Sequence, residues 1–345
     1  MEPICQLDPE LKRHELEGFE FPLGVYPVEA MTPAPGYRSE FEPADGDDDD
    51  GKWEHWPDRY VYDAVVSAER VQAFTVAALT MMPRRVFPIL DFLGHDAYRE
   101  IDPYIAYEPC GIDEILEATE RFGPFFFEDG MCGFGAMSDE PFAYLFLDEH
   151  KILTIRVEPD LREKVERLLR AFDLAAVPEP SGADAAAHEH RGVLLAPADR
   201  PELMSGEEIV ERLRDDWRLS LNIDPEGNVD DGGQVLGATG WRCLMRFPRE
   251  AAVDAYAELY LIASSLNEAE LLCLAESEAL ASSAAGVVIG EGLVVAADRL
   301  SPEQLEAALE SIRSKPVGAG SPRPPRGSAK TLLRRGTRVL WRGWL

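Results

Sequence analysis

Two apolar runs, Phe142–Leu147 and Ile152–Val157, flank Asp148-Glu149-His150-Lys151. Four polar residues between two such runs read as a hairpin turn, which fixes the flanking strands as antiparallel neighbours. The same punctuation recurs upstream, where Phe125–Phe127, the turn Glu128-Asp129-Gly130 and Met131–Met137 follow one another. Successive hairpins imply an antiparallel sheet, and helical periodicities beside them supply its cover. Glu69–Met82 repeats apolar residues at Val71, Phe74, Ala78 and Met81 and stops at Pro83; Ile112–Phe122 and Pro159–Phe172 are amphipathic in the same way. Tyr60–Val66, Val86–Leu93 and Tyr104–Tyr107 read as strands.

Polar stretches divide the 345 residues. Residues 1–58 are acidic and rich in Pro and Gly, and read as a largely irregular segment; its FEPADGDDDD run, from Phe41 to Asp50, is a solvated loop. A first lobe follows at 59–175. Residues 176–191, AVPEPSGADAAAHEHR, have linker composition. The second lobe spans 192–314, with Ser205 capping a helix that runs to about Leu221, a turn-rich segment over Asn222–Gly240, and a strand at Trp241–Phe247. Within it, Ala251–Ser265 reads as a helix, Glu270–Ala275 as a strand, Val287–Val295 as a strand or hairpin and Pro302–Ile312 as a closing helix. The fold class is therefore α+β, with two lobes that are each a mainly antiparallel sheet carrying packed helices. Both lobes end in strand, Pro, acid and helix (RVEPDLREKVERLL and RLSPEQLEAALESI), the grammar of a diverged duplication.

Residues 315–345 are a Pro/Gly linker followed by a basic segment. On a helix, Leu333, Thr337, Leu340, Trp341 and Trp344 share one face, and Arg334, Arg335, Arg338 and Arg342 take the other. The chain carries a net charge of −30, but nine basic residues and no acid lie in 313–345; 1–312 then holds 25 basic against 64 acidic residues, a net of −39. A body that acidic repels phosphate backbones, so no nucleic acid is expected on it. The opening MEPICQLDPELKRHELEG lacks an apolar run, so no signal peptide is expected, and no window reaches bilayer length. Five scattered cysteines, Cys5, Cys110, Cys132, Cys243 and Cys273, fit neither a disulfide framework nor a thiolate metal site, and suit the reduced cytoplasm.

No cofactor motif is present. Cys132-Gly-Phe-Gly lies inside a strand pattern, and the Asn222–Asp231 acids miss the spacing of a calcium loop. His188 and His190 point the same way if extended, yet zinc needs a further protein ligand and linkers hold ligands poorly, so no metal is expected there. Acid–base chemistry falls to Glu128, Asp129 and His150, which neighbouring turns bring to one end of the sheet, with Arg99, Glu100 and Asp102 as further candidates. Two functional expectations result. The first is a non-catalytic binding or adaptor protein, recruited to a protein partner or an anionic surface through Arg334, Arg335, Arg338, Leu340, Trp341, Arg342 and Trp344. The second is an enzyme using the carboxylate/His site.

Overall fold

The computed structural model describes residues 4–44, 56–197, 199–200, 202–248, 254–283, 292–314, 323–325, 327–328, 331–332 and 338–345. The chain divides into two compact units, residues 1–93 with 103–222, and residues 94–102 with 223–345.

The first unit opens with three short strands, β1 (Glu15–Leu16), β2 (Phe19–Glu20) and β3 (Val25–Pro27), before β4 (Gly36–Glu42) and β5 (Arg59–Val65). Then come α1 (Ala68–Leu79), β6 (Arg85–Leu93), β7 (Ile101–Ala106), which crosses the unit boundary at Pro103, β8 (Cys110–Gly111), α2 (Ile112–Arg121) and α3 (Gly123–Glu128). The hairpin strands β9 (Cys132–Asp139), β10 (Phe142–Leu147) and β11 (Leu153–Val157) follow, then α4 (Arg162–Ala171), β12 (His188–His190), α5 (Gly206–Trp217) and β13 (Leu219–Leu221). The main sheet has the order β13-β7-β6-β9-β10-β11-β5-β4, and β12 pairs with β3 in a small sheet of its own. β10 lies antiparallel to β11, as the Asp148–Lys151 turn requires, and to β9; Phe125–Phe127, expected as the first arm of a hairpin, lies instead in α3, where the aromatic run packs into the core.

Alternation decides which side of this sheet is core. Phe134, Ala136, Leu145, Leu147, Leu153 and Ile155 point to one face and meet Phe74 of α1, Ile115 of α2, Phe125 and Phe126 of α3, Leu169 of α4 and Leu213 and Trp217 of α5. Each such fully buried large side chain contributes about 1.5–3 kcal/mol over an exposed one. A second cluster gathers Phe19, Phe21 and Val25 with Val65 and Ala183.

The second unit is a four-stranded sheet. Its elements are β14 (Thr239–Phe247), β15 (Ala255–Ala263), α6 (Leu266–Ser283), β16 (Leu293–Leu300), α7 (Pro302–Ser314) and β17 (Val339–Trp344), with the strand order β16-β14-β15-β17. The α+β class expected from the sequence is what the molecule has. The shared strand–Pro–helix endings are real at β11–α4 and β16–α7, but the two sheets differ in strand number and order.

Several boundaries differ from the sequence reading. Residues 1–58 are not irregular throughout, since β4 forms seven pairs with β5 and Phe21 and Val25 are fully buried; residues 45–50 of the acidic run lie outside the described set. Residues 176–191 are not a free linker: Ala176 bridges Tyr37, Ser181 bridges Ala34, and β12 pairs with β3. Residues 192–222 belong to the first unit because the apolar face of α5 packs into its core, with Trp217 stacked on Phe126. Helix and strand exchange places at 251–275. β15 occupies Ala255–Ala263 and α6 begins at Leu266, where Ser265 Oγ accepts the Glu268 N–H. The run AYAELYLIA has fair helix propensity, but as a central strand it is buried over most of its length, and burial outweighs propensity.

The largest correction concerns the C-terminus. The described end of the expected amphipathic helix, Val339–Trp344, is a strand: β17 pairs antiparallel with β15 from Ala257↔Trp344 to Leu261↔Val339, while residues 333–337 lie outside the described set. Leu340 is 5% exposed and packs with Tyr260, Ile262, Leu305 and Leu309. Trp341 lies against Tyr260, and Trp344 meets Phe247 edge-on. Arg338 pairs with Glu268 and Arg342 with Glu276. Gly336 and Gly343 weaken any helix here, and the β-branched and aromatic residues of V-L-W-R-G-W suit a strand once a partner edge is offered. Arg334 and Arg335 lie outside the described residues.

Candidate metal centre

The β10–β11 turn brings the first ligand. Lys151 N donates to Asp148 O, and Asp148 Oδ1 accepts the Ile152 N–H at 2.7 Å. Lys151 adopts φ 64°, a left-handed conformation that costs a non-glycine residue roughly 1–2 kcal/mol. The compensation is visible: its side chain is drawn inward, 2% exposed, and Nζ donates to the Cys132 carbonyl. The turn so held presents the His150 ring.

β12 brings the other two. His188 and His190 are two apart on a strand and project to the same side, while Glu189 between them projects to the other and accepts the Tyr26 hydroxyl at 2.7 Å. The three rings converge. Their centroids are 4.8 Å (His150–His188), 4.8 Å (His150–His190) and 5.0 Å (His188–His190) apart, and every pair is near perpendicular. One ligand nitrogen from each lies within 4.8 Å of the others, and Nε2 of His150 is 3.0 Å from Nε2 of His188.

The protonation of two rings is fixed by their surroundings. His188 Nδ1 is 2.8 Å from the Ala186 carbonyl and His190 Nδ1 is 2.7 Å from the Gly130 carbonyl. A carbonyl only accepts, so each Nδ1 carries the hydrogen and each Nε2 of the neutral ring offers a lone pair. His150 Nδ1 faces carboxylates, Asp148 Oδ2 at 3.5 Å and Glu149 Oε1 at 3.4 Å. A hydrogen on Nε2 of His150 joins that ring to Nε2 of His188, so two of the three nitrogens pair without any ion. A proton satisfies two of them; a metal ion satisfies three. An ion at the usual 2.0–2.1 Å from nitrogen, with tetrahedral angles, sets its imidazole nitrogens about 3.3 Å and its ring centroids about 5 Å apart. The ring centroids, 4.8–5.0 Å apart, already have that spacing, and the His150 and His188 nitrogens at 3.0 Å are close to it.

Charge around the site favours a cation. Burial pulls the His150 pKa down, but the Asp148 hydrogen bond and the charges of Asp148, Glu149 and Asp184 outweigh it, and the net shift is upward. His190 goes the other way, lowered by burial against the opposing Gly130 bond and further by its two histidine neighbours. Asp91 of β6 is raised to about 7 by burial and by Glu149.

Glu128 and Asp129 have other work. Glu128 takes a two-pronged grip from Arg13 at 2.7 and 2.8 Å and the Leu23 N–H at 3.0 Å. Asp129, 2% exposed, accepts the N–H groups of Met131 and Val193 at 2.9 Å each. Burial raises its pKa although both bonds and Lys151 act against that. These two carboxylates hold backbone; His150 alone of that expected trio faces the ring cluster. The reading that set a metal aside rested on a loose linker and a missing ligand, whereas His188–His190 is a paired strand and His150 supplies the third nitrogen. H-x-H at strand spacing was the signal in the sequence. The separation of His150 from His188, 38 positions along the chain, hid the rest.

Arg99, Glu100 and Asp102 are in the second unit. Arg99 is bound to Asp102 at 2.6 Å, and Glu100 donates its N–H to Asp231. In the turn-rich segment, Asn228 is buried and bonded to Gly237 O and Thr239 Oγ1. Cys132-Gly-Phe-Gly is strand β9. Among the described residues no helix is long and apolar enough to cross a membrane. No family model, curated protein or solved structure matches this chain.

Proposed function

We propose that the chain is a metal-dependent enzyme whose divalent ion, of the zinc class, is bound by Nε2 of His150, His188 and His190. One observation carries the reading: three imidazoles converge at metal-ligand spacing while the Nδ1 atoms of His188 and His190 are committed to carbonyls. Ligating histidines characteristically donate their other ring N–H to a carbonyl or carboxylate, which fixes tautomer and orientation. Three histidines with a fourth position for water are the pattern of catalytic zinc, whereas structural zinc is closed by four protein ligands. Among the described residues, no fourth side chain joins the trio. An ion so held lowers the pKa of bound water to near 7 and polarises a carbonyl or phosphoryl oxygen, which points to metal-assisted addition of water. Asp148 and Glu149 flank the Nδ1 side of His150, so their part is to orient that ring and raise its basicity.

The recruitment reading needs a free amphipathic helix. Val339–Trp344 is instead committed to the sheet, with Arg338 and Arg342 paired to acids. The enzyme reading is the better supported.

The test is metal content and coordination. The full chain, stripped with chelator and reloaded, is expected to hold one equivalent of Zn2+ or Co2+. Co2+ is expected to show the intense visible bands of a four-coordinate site, and azide to shift them by entering the open position. His150→Ala, His188→Ala and His190→Ala should each weaken binding at least 100-fold. A wild-type chain that takes up no metal at micromolar concentration sinks the reading. Co2+ bands indifferent to azide leave a metalloprotein without the open position that catalysis requires.

A further inference from the structure

We infer that capture of the metal and docking of the N-terminal arm, Ile4–Pro27, are one coupled event, with Arg13 and Asp129 as positioning residues for the three-histidine centre. The inference rests on the metal reading above and adds the regulation of that site.

β12, the strand that carries two of the three ligands, is held by the arm. On one edge it pairs with β3 of the arm, His188 opposite Pro27 and His190 opposite Val25. Beyond its end, Arg191 N donates to Gly24 O at 2.8 Å, Asp8 N to Val193 O at 2.9 Å and Leu195 N to Gln6 O at 2.7 Å. The ligand strand is thus bound along its length by the arm. The arm in turn is bound by the 128–131 turn. Gly24 N donates to Glu128 O at 2.7 Å, and the Glu128 carboxylate takes Arg13 and Leu23 N. The two backbones approach so closely that a Cβ on Gly24 would lie 2.0 Å from Gly130 N, which only glycine permits.

Gly130 closes the circuit. Its carbonyl accepts His190 Nδ1, its N–H donates to Arg191 O, and Asp129 beside it anchors Met131 N and Val193 N. One carboxylate therefore fixes both the carbonyl that orients a ligand and the chain leaving the ligand strand. The other end of the metal cluster, His150, belongs to a turn of the main sheet. An ion bound to all three rings ties β12 to that turn, and whatever ties β12 ties the arm. Coupling between two binding events is reciprocal, so a defect in arm docking must weaken the metal by the same factor that metal strengthens docking. Losing an outer partner of a ligating histidine typically weakens metal affinity 10–100-fold.

The experiment uses the full chain with Zn2+ as the probe. Amide hydrogen exchange is measured with and without the ion, and affinity is measured by competition with a chromophoric chelator. Zn2+ is expected to slow exchange at least tenfold across residues 5–27 and 188–195. Arg13→Ala and Asp129→Asn are expected to weaken Zn2+ at least tenfold and to alter the Co2+ spectrum. Leu213→Ala, a lesion in the core under α5, should lower the melting temperature while leaving affinity unchanged. If Asp129→Asn fails to fold, the half-exposed Arg13 still provides the test. A wild-type chain that binds Zn2+ with the arm's exchange unaltered, and an Arg13→Ala chain that binds as tightly as wild type, overturn the coupling while sparing the metal reading. A wild-type chain that binds no Zn2+ overturns both.

Discussion

Asp96 and Arg299 in the second unit, and the three histidines in the first, are both knots of polar side chains drawn out of water, and they are built on opposite logic. Asp96 accepts Arg299 N at 2.8 Å and its guanidinium at 2.9–3.0 Å. The same guanidinium reaches Asn228 Oδ1 and the Val229 carbonyl. Donors meet acceptors, opposite charges cancel, and nothing external is called for. At His150, His188 and His190 the groups are alike: three imidazoles converge, two of them sharing a hydrogen bond, with the Asp148 and Glu149 carboxylates behind His150. On the proposed reading, that cluster is completed by a cation from outside. A closed cluster holds a fold together; an open one binds something.

The contrast breaks first at Arg299. Arg299→Ala strips Asp96, whose side chain is fully buried, of its hydrogen-bonded counter-charge and leaves it only the longer Arg99 contact at 3.7 Å, and the second unit is expected to lose about 3–5 kcal/mol by chemical denaturation. Metal uptake should not change. Equal stability would mean the cluster is not closed in solution. Next in size is Leu340→Ala, expected to cost about 2–5 kcal/mol because the side chain fills the core between β17 and α7. A loss below about 0.5 kcal/mol would restore the solvent-exposed tail that the sequence suggests.

Asp298 sharpens the comparison through pH. Burial, followed by the charge of Asp102, lifts its pKa from 3.8 to about 6, with His95 and Arg242 pulling the other way. The folded state therefore holds the proton more tightly than the unfolded one, and stability falls as pH rises through 4 to 6. Asp298→Asn is expected to be the more stable chain at pH 7–8, by at most roughly 3 kcal/mol. Its advantage should fade from pH 6 to 4 and vanish below. Denaturation series at pH 4 and pH 7.5 check it, and a constant difference would refute it.

The smallest expected effect is the most telling. His188→Ala removes a ring from an open cluster, so the metal-free chain should change by less than about 1 kcal/mol in stability, though metal binding is lost. A large loss in the metal-free chain would show that the histidines, like Arg299, are there for the fold.

Legibility in the sequence followed the range of the interactions involved. The β9–β10–β11 hairpins, α1, α4 and α7 were readable because their pattern and caps are local. The Ser205 cap is present as expected, with Ser205 Oγ accepting Glu208 N and Glu208 accepting Ser205 N. β15 and α6 were misread because a two-sided buried strand carries no alternation to distinguish it from a helix. At the candidate site, the turn holding His150 and the H-x-H pair were both visible. Their meeting was not, and Glu128 and Asp129 looked like chemistry because turns collect acids for backbone bonds as well.

The amino-acid order by itself determined the local grammar: hairpin turns, capped helices, an acidic body, a basic end and two histidines on one side of a short strand. Tertiary structure decided the pairings between distant segments, because those depend on which apolar faces find each other. It set β12 against β3, drew Val339–Trp344 onto the edge of β15, and carried His188 and His190 across to His150. Only then did three ordinary imidazoles share one point in space, the convergence on which the proposed metal site rests.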